Sequence, residues 1–338
     1  MGSTDTMQTG TDAEEVRTPP DGPPGKSLRG FLTQDLGQMD FALRRFGLLP
    51  AEARAGLEEA GRSFLIGFNA MLSRRLDTIG GLREDLRGFA FEGAGMGAAM
   101  LDLLKLTGGR HLRELLNGPA LAYPHLVHVG VGWAYARLRA RPMWGITTAH
   151  PLLRWLALDG FGFHRGFFSA DSAVGARREP RPMRRGHRAV VDQGLGRMLW
   201  FHECANPDGV AARVAEFPPG RRADLWSGVG MAAAYTGQCD GEGLAGLAAH
   251  ASRDGYRAHL AQGAAFACAA HLRSGIMPPH TEAAAPLLCG VEADEAGAWT
   301  DESLAGLGTN PRTYYHYQSW RAGIRKSWAC RNKGRLDI

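Results

Sequence analysis

Polar and apolar residues alternate along this chain with a helical period. Phe64, Leu65, Phe68, Met71 and Leu72 lie on one face of a 3.6-residue repeat, as do Leu152, Leu153 and Leu156, while the two-residue alternation of strands is nearly absent. Helix starts are marked where Pro50 precedes the run AEARAGLEEAG and where Asn206 stands before Pro207. The pattern predicts helices over 51–74, 83–106, 110–117, 123–139, 149–168, 187–203, 207–216, 221–236, 241–251, 254–274, 281–289, 300–306 and 313–328. Residues 1–28 carry prolines and acidic and hydroxyl residues with almost no aliphatic side chains, and read as a disordered tail. The expected architecture is therefore all-α, one helical body over 29–338 behind a tail over 1–28.

Glycine pairs recur inside these helices. The segments EGAG, HVGVG, LDGFG, DQGLG, WSGVG and AQGAA place the first glycine of each copy at Gly93, Gly130, Gly160, Gly194, Gly228 and Gly263, at intervals of 37, 30, 34, 34 and 35 residues. Glycine inside a helix is unfavourable relative to alanine, so its return implies close helix contact. A period near 34 is that of a helix-turn-helix repeat, whose stacked copies bury a common core. The residue before the first glycine is Glu92, Asp159, Gln193 or Gln262 in four copies and Ser227 in a fifth. If the glycine helices face one interior, in a solenoid-like or closed α/α arrangement, these polar residues converge. No copy is a dinucleotide fingerprint, because no strand precedes it and the third glycine and the ribose-binding acid are missing.

Composition narrows the classes further. With 338 residues and 44% hydrophobic content, the chain can bury a large core. No signal or transit pattern is seen at its start, so a cytoplasmic location is expected. The five cysteines, Cys204, Cys239, Cys268, Cys289 and Cys330, are odd in number and never spaced C-x-x-C, which fits neither a disulfide framework nor a zinc ribbon. The run Leu115 to Ala136 lacks acidic and basic residues, but its prolines and histidines read as a buried segment, so no membrane span is expected. The net charge is +5, with Arg177, Arg178, Arg181, Arg184, Arg185 and Arg188 in one proline-interrupted stretch. That stretch is either a solvated connection or a surface for an anionic partner, such as an acidic carrier protein. Nucleic acid is not expected, since no aromatic residues interleave the arginines.

Several residues are candidates for chemistry. Asp159 and His164 stand five apart in LDGFGFHRGFF, where a loosened turn could pair them for acid/base work; Glu92 and Asp192 join them if they line the same interior, where burial raises carboxylate pKa values. His125 and His128 have the i, i+3 spacing of two imidazoles on one face, although no matching carboxylate motif accompanies them and no metal is expected. His280 and Glu282 lie near a helix start, with Thr281 as its cap. The absence of a G-x-S-x-G elbow or a recognisable cysteine nucleophile argues against covalent hydrolysis.

The segments FEGAGMGAAMLDLL, HLVHVGVGWAYARL, HPLLRWLALDGFGFHRGFF, DQGLGRMLWF, RRADLWSGVGMAAAY, YRAHLAQGAAFA and PHTEAA together resemble the UnbL-type proteins, a family built on a domain of unknown function and found in actinobacterial enediyne gene clusters. The resemblance covers residues 29 to 328. It implies a role in making the enediyne core from a polyketide-derived polyene or warhead precursor, and other enediyne cassette proteins or an acyl carrier protein as partners. On matching positions it implies Glu92, His128, Asp159 and His164 as catalytic candidates, His125, Asp192, Trp226, His259 and Gln262 as substrate-binding ones, and Gly160 as a further match, with no cofactor expected; Trp133, Phe163 and Gln193, in the same segments, are added as substrate-binding candidates. Asp224, His280 and Glu282 match as well, whereas His202 departs from the pattern. Two functions are weighed: an enzyme of isomerase, cyclase or C–C bond-forming type acting on an apolar polyene, and a non-catalytic protein that shields the precursor or assembles its partners. A closed pocket holding Glu92, Asp159 and His164 together would favour the first; an open concave surface would favour the second.

Overall fold

The computed structural model describes residues 28–147, 150–179 and 185–333, and these form helices with no β-strand. After a short α1 (Leu28–Leu32) come α2 (Ala51–Ser73), α3 (Glu84–Lys105), α4 (Arg110–Leu116), α5 (Pro124–Arg137), α6 (Leu156–Phe168), α7 (Arg188–His202) and α8 (Pro207–Ala215). The chain continues through α9 (Pro219–Thr236), α10 (Gly241–Arg253), α11 (Arg257–Ser274), α12 (Pro279–Cys289), α13 (Ala293–Ala305) and α14 (Tyr314–Arg331). The tail expected over 1–28 lies outside the described residues except Leu28, which opens α1. Among the described residues no helix is long and apolar enough to cross a membrane.

The glycines set the stacking. A methyl group built on Gly130 would lie 2.0 Å from the Glu92 carbonyl oxygen, and on Gly160, Gly194, Gly228 and Gly263 it would lie 1.9, 1.8, 1.8 and 1.8 Å from those of Val129, Asp159, Gln193 and Ser227. Each repeat glycine thus rests on the carbonyl of the residue that precedes the glycine of the repeat before it. The second glycine of each pair closes the same contact from the other side: Gly132, Gly162, Gly196 and Gly230 face the carbonyls of Ala157, Val191, Leu225 and Leu260 at 1.9 to 2.0 Å. Only a residue without Cβ allows backbones this close. The register extends one helix earlier than the sequence pattern showed, because a methyl group built on Gly67 of α2 would lie 1.8 Å from the Ala90 carbonyl oxygen.

Consecutive inner helices run in the same direction. Near the starts of α7 and α9, Arg221 Nε donates to Asp192 Oδ2 at 2.9 Å, and near their ends Trp200 Nε1 donates to Thr236 Oγ1 at 3.0 Å. The chain therefore returns between them, by the short helices α8, α10 and α12 in the second half. This is the helix-turn-helix repeat that the period implied. The stack curls until α3 meets α7 and α9 across the interior: Arg197 reaches Glu92, and Phe89 packs edge-on against Tyr235 at 5.2 Å. The arrangement is a closed helical repeat and not an open concave surface. Helix α14 crosses it, donating from Arg321 to Asp224 at 2.8 Å and from Arg325 to Gln262, with Trp320 against Phe266.

Three local expectations are corrected. The helix expected over 149–168 begins only at Leu156, because His150 Nδ1 accepts the amides of Leu152 and Leu153 at 3.3 and 3.0 Å and turns the chain there. The helix expected over 300–306 spans Ala293–Ala305, docked where Gly297 meets the Leu272 side chain. Thr281 is not a cap; it lies inside α12 and donates to the Ala234 carbonyl at 2.8 Å.

Candidate functional site

Closure of the repeat leaves a line of three abutting cavities. The innermost, about 30 Å³, is walled by Phe41, Phe64, Trp133, Phe163, Phe167 and Phe201, with Glu92 and Arg197 as its polar lining. Phe89, Arg197 and Phe201 also face a second cavity of about 50 Å³, bounded by Met231, Ala232, Tyr235, Phe266 and Trp320. His125 and Trp320 are shared with a third space of about 360 Å³, bordered by His150, Arg273, Asp294 and Asp301. The three spaces thus form a row with shared walls, from Asp294 and Asp301 at one end to Glu92 and Arg197 at the other.

The Glu92 carboxylate belongs to a hydrogen-bonded ladder built from the repeat. Trp133 Nε1 donates to Glu92 Oε1 at 2.9 Å, and the guanidinium of Arg197 donates to Glu92 at 3.3 Å and to Asp159 Oδ1 at 2.6 Å. Gln193 donates to Asp159 Oδ2 at 2.8 Å, Ser227 to Gln193 at 3.3 Å, and Gln262 to Ser227 at 2.8 Å, with Arg325 donating to Gln262 at the far end. Glu92, Asp159, Gln193, Ser227 and Gln262 are the residues that precede the repeat glycines, so the convergence expected from the sequence is what the stack produces. Two carboxylates share one guanidinium here. Burial raises the pKa of Glu92, against the pull of Arg197.

No described group of three or more His, Cys, Asp or Glu side chains could hold a metal ion. Sequence comparison adds a finding at this point: residues 25–328 match the family described as Protein of unknown function (DUF1702). The chain belongs to that family. No curated protein and no solved structure matches it.

In this DUF1702 chain, the expected pair of Asp159 and His164 is not formed. Asp159 is held by Gln193 and Arg197, while His164 turns to Trp133 and Phe168, at ring-centre distances of 5.5 and 4.7 Å, and its Nε2 has no partner. Burial and the nearby arginines lower its pKa to about 3. His125 and His128 do not act together either. His125 lines the cavities, whereas His128 is fully buried and its Nδ1 lies 2.6 Å from the Pro124 carbonyl. Burial lowers both imidazoles, to about 3 and about 4.

Trp133 and Phe163 are cavity walls as expected. Asp192 stands apart, paired with Arg221 at 2.5 Å and raised to about 6 by burial. Trp226 donates to Asp254 at 2.8 Å, His259 packs against Tyr256 with its ring centre 5.7 Å away, and Asp224 is bound to Arg321, so none of these faces the inner cavity. His280 lies 3.1 Å from the Tyr235 carbonyl, Glu282 is exposed, and His202 packs on Phe46 and pairs with Glu203. The residues that the sequence reading missed are Arg197 and the aromatic wall of Phe41, Phe64, Phe89 and Phe201. In the basic stretch, Arg181 and Arg184 lie outside the described residues; Arg177 and Arg188 pair with Glu216 and Glu179 at 3.3 and 2.9 Å.

Proposed function

We propose that this protein encloses an elongated apolar small molecule in its interior, and that the molecule is a polyketide-derived polyene or warhead precursor during enediyne core formation. The observation that carries the reading is the row of small apolar cavities that share walls and end at Glu92 and Arg197. The two inner cavities are narrow, about 30 and 50 Å³, so a rod-like conjugated chain enters by displacing Phe and Trp side chains, and its burial against them contributes roughly 25 cal/mol per Å² of apolar surface covered. The resemblance to the enediyne-cluster proteins supplies the substrate class, and enediyne cassette proteins would be the source of the precursor.

Glu92 is the group on the cavity wall suited to moving a proton. Burial raises its pKa against the pull of Arg197, and Trp133 and Arg197 fix the position of its oxygens. Asp159, tied to the other side of Arg197, positions that guanidinium. A binding-only role is favoured by the same hydrogen bonds, since both Glu92 oxygens are already engaged. The test is to incubate the protein with the polyene released by the polyketide synthase and follow its conjugated absorbance. Turnover that Glu92→Gln slows about 10²-fold, with binding retained, supports proton transfer. Protection without turnover supports shielding. Deletion of the gene in a producing strain with normal product titre would remove the biosynthetic reading.

A further inference from the structure

On the other side of the aromatic wall lies a group of charges that the cavity does not use. Arg137 stands one helical turn beyond Trp133 on α5, and His164 and Phe168 are one turn apart on α6, with Arg165 beside them. Arg44, from the turn over Phe41–Arg44, lies across Phe168 with its guanidinium carbon 4.5 Å from the ring centre, and 5.2 Å from that of Phe167. Phe168 in turn lies 4.7 Å from the His164 ring. Arg44 thus reaches His164 across Phe168, and Arg137, Arg165 and Arg44 are the charges that bear on its imidazole.

No acidic side chain balances them. Among the described residues Arg44, Arg137 and Arg165 make no ion pair; Arg44 donates only to the Gln38 carbonyl, at 3.1 and 2.8 Å, while its neighbour Arg45 has Asp171 at 3.9 Å. His164 is only 8% exposed, yet its Nε2 has no partner. An orphaned buried polar atom is unfavourable unless something completes it. The last turns of α5 and α6 favour one cation each through the helix dipole, which explains Arg137 and Arg165 singly. Helix dipoles do not explain the convergence of both with Arg44 on an unpartnered imidazole.

We propose that Arg44, Arg137, Arg165 and His164 Nε2 form an oxyanion-binding site that takes a phosphate or carboxylate group. The guanidinium forks supply charge-assisted donors, and His164 in its Nε2–H form supplies a neutral one. Phe167 and Trp133 separate this site from the innermost cavity, so it does not depend on what that cavity holds.

The experiment measures binding of inorganic phosphate and of acetate by calorimetry, on wild type, Arg137→Ala and Arg165→Ala, with thermal midpoints as the folding control. Wild type should bind at least one anion, more weakly as salt rises, and each variant should lose about tenfold or more in affinity at an unchanged midpoint. Tighter phosphate than acetate assigns the site to a phosphate ester, and the reverse order to a carboxylate. In the same titration the His164 Nε2 NMR signal should move with the bound fraction. Binding of neither anion, or equal affinity in wild type and both folded variants, or a static His164 signal at saturation, overturns the proposal.

Discussion

Gly194→Ala tests the stacking directly. Its new methyl group would sit 1.8 Å from the Asp159 carbonyl oxygen and 2.6 Å from the Asp159 carbonyl carbon, both backbone atoms on a neighbouring helix. Real contacts of this kind essentially never fall under 3.0 Å, so α6 and α7 must part by about 1.2 Å. No flexible side chain can yield instead. Overpacking of this kind costs about 1 to 3 kcal/mol, and a backbone obstacle places Gly194→Ala at the upper end. For a chain of this size that corresponds to a thermal midpoint lower by about 6 °C. Gly246→Ala in α10 is the matched control. It meets nothing within 4 Å, so the helix propensity of alanine should stabilise the protein by about 0.5 to 1 kcal/mol. Calorimetry on the two variants beside wild type reads both signs. Equal midpoints for Gly194→Ala and wild type, or equal losses in the two variants, would refute the argument that backbone contact fixes these glycines.

Other expectations follow from the same geometry. Arg197→Met leaves Glu92 and Asp159 buried without their cation and should destabilise by about 3 to 5 kcal/mol, with much of the loss restored in Glu92→Gln/Asp159→Asn/Arg197→Met, as measured by urea unfolding. Asp159→Asn and His164→Gln should be additive in stability within about 0.5 kcal/mol, since the two residues share no bond; strong coupling would show that they do interact. Acid should destabilise the fold. His125, His128, His164, His259 and His271 are held near 3 to 4, below the unfolded value of 6.5, so the unfolded chain takes up protons first as pH falls below 6.5. Each fully buried one removes about 1.4 kcal/mol per pH unit over that window. Asp192 and Glu92, both raised, act in the opposite sense, but five histidines outweigh them. A midpoint that does not drop between pH 7 and pH 5 would contradict this balance.

The repeat was legible in the sequence because a steric demand for no side chain leaves one residue type as its trace. The same spacing placed Glu92, Asp159, Gln193 and Gln262 in register, and the stack joins them through Arg197 and Ser227. The pairing of Asp159 with His164 failed for a geometric reason. Five residues on an α-helix rotate about 500°, which leaves the second side chain about 140° away from the first. Asp159 shares its face with Phe163, which lines the inner cavity, and not with His164. Arg197 went unseen because arginines are usually exposed. Its signal was present: it stands one turn after Gln193 inside the apolar run DQGLGRMLW, where a lone cation needs buried partners. The aromatic wall had no signal, because Phe41, Phe64, Phe89 and Phe201 look like ordinary core residues until the curl of the repeat brings four separate segments to one space.

The central claim is that the interior holds an elongated apolar ligand, and the most direct measurement is fluorescence titration with a long-chain conjugated tetraenoic acid in wild type and in Ala232→Phe. Ala232 is 2% exposed and faces the middle cavity, so a phenyl ring there fills that cavity, which neither Glu92 nor the oxyanion site borders. The enclosed-ligand account predicts a saturable rise in tetraene fluorescence for wild type, weakened about tenfold or more in Ala232→Phe with the helical circular-dichroism spectrum preserved. No binding by wild type, or the same affinity in the folded, filled variant, would contradict it.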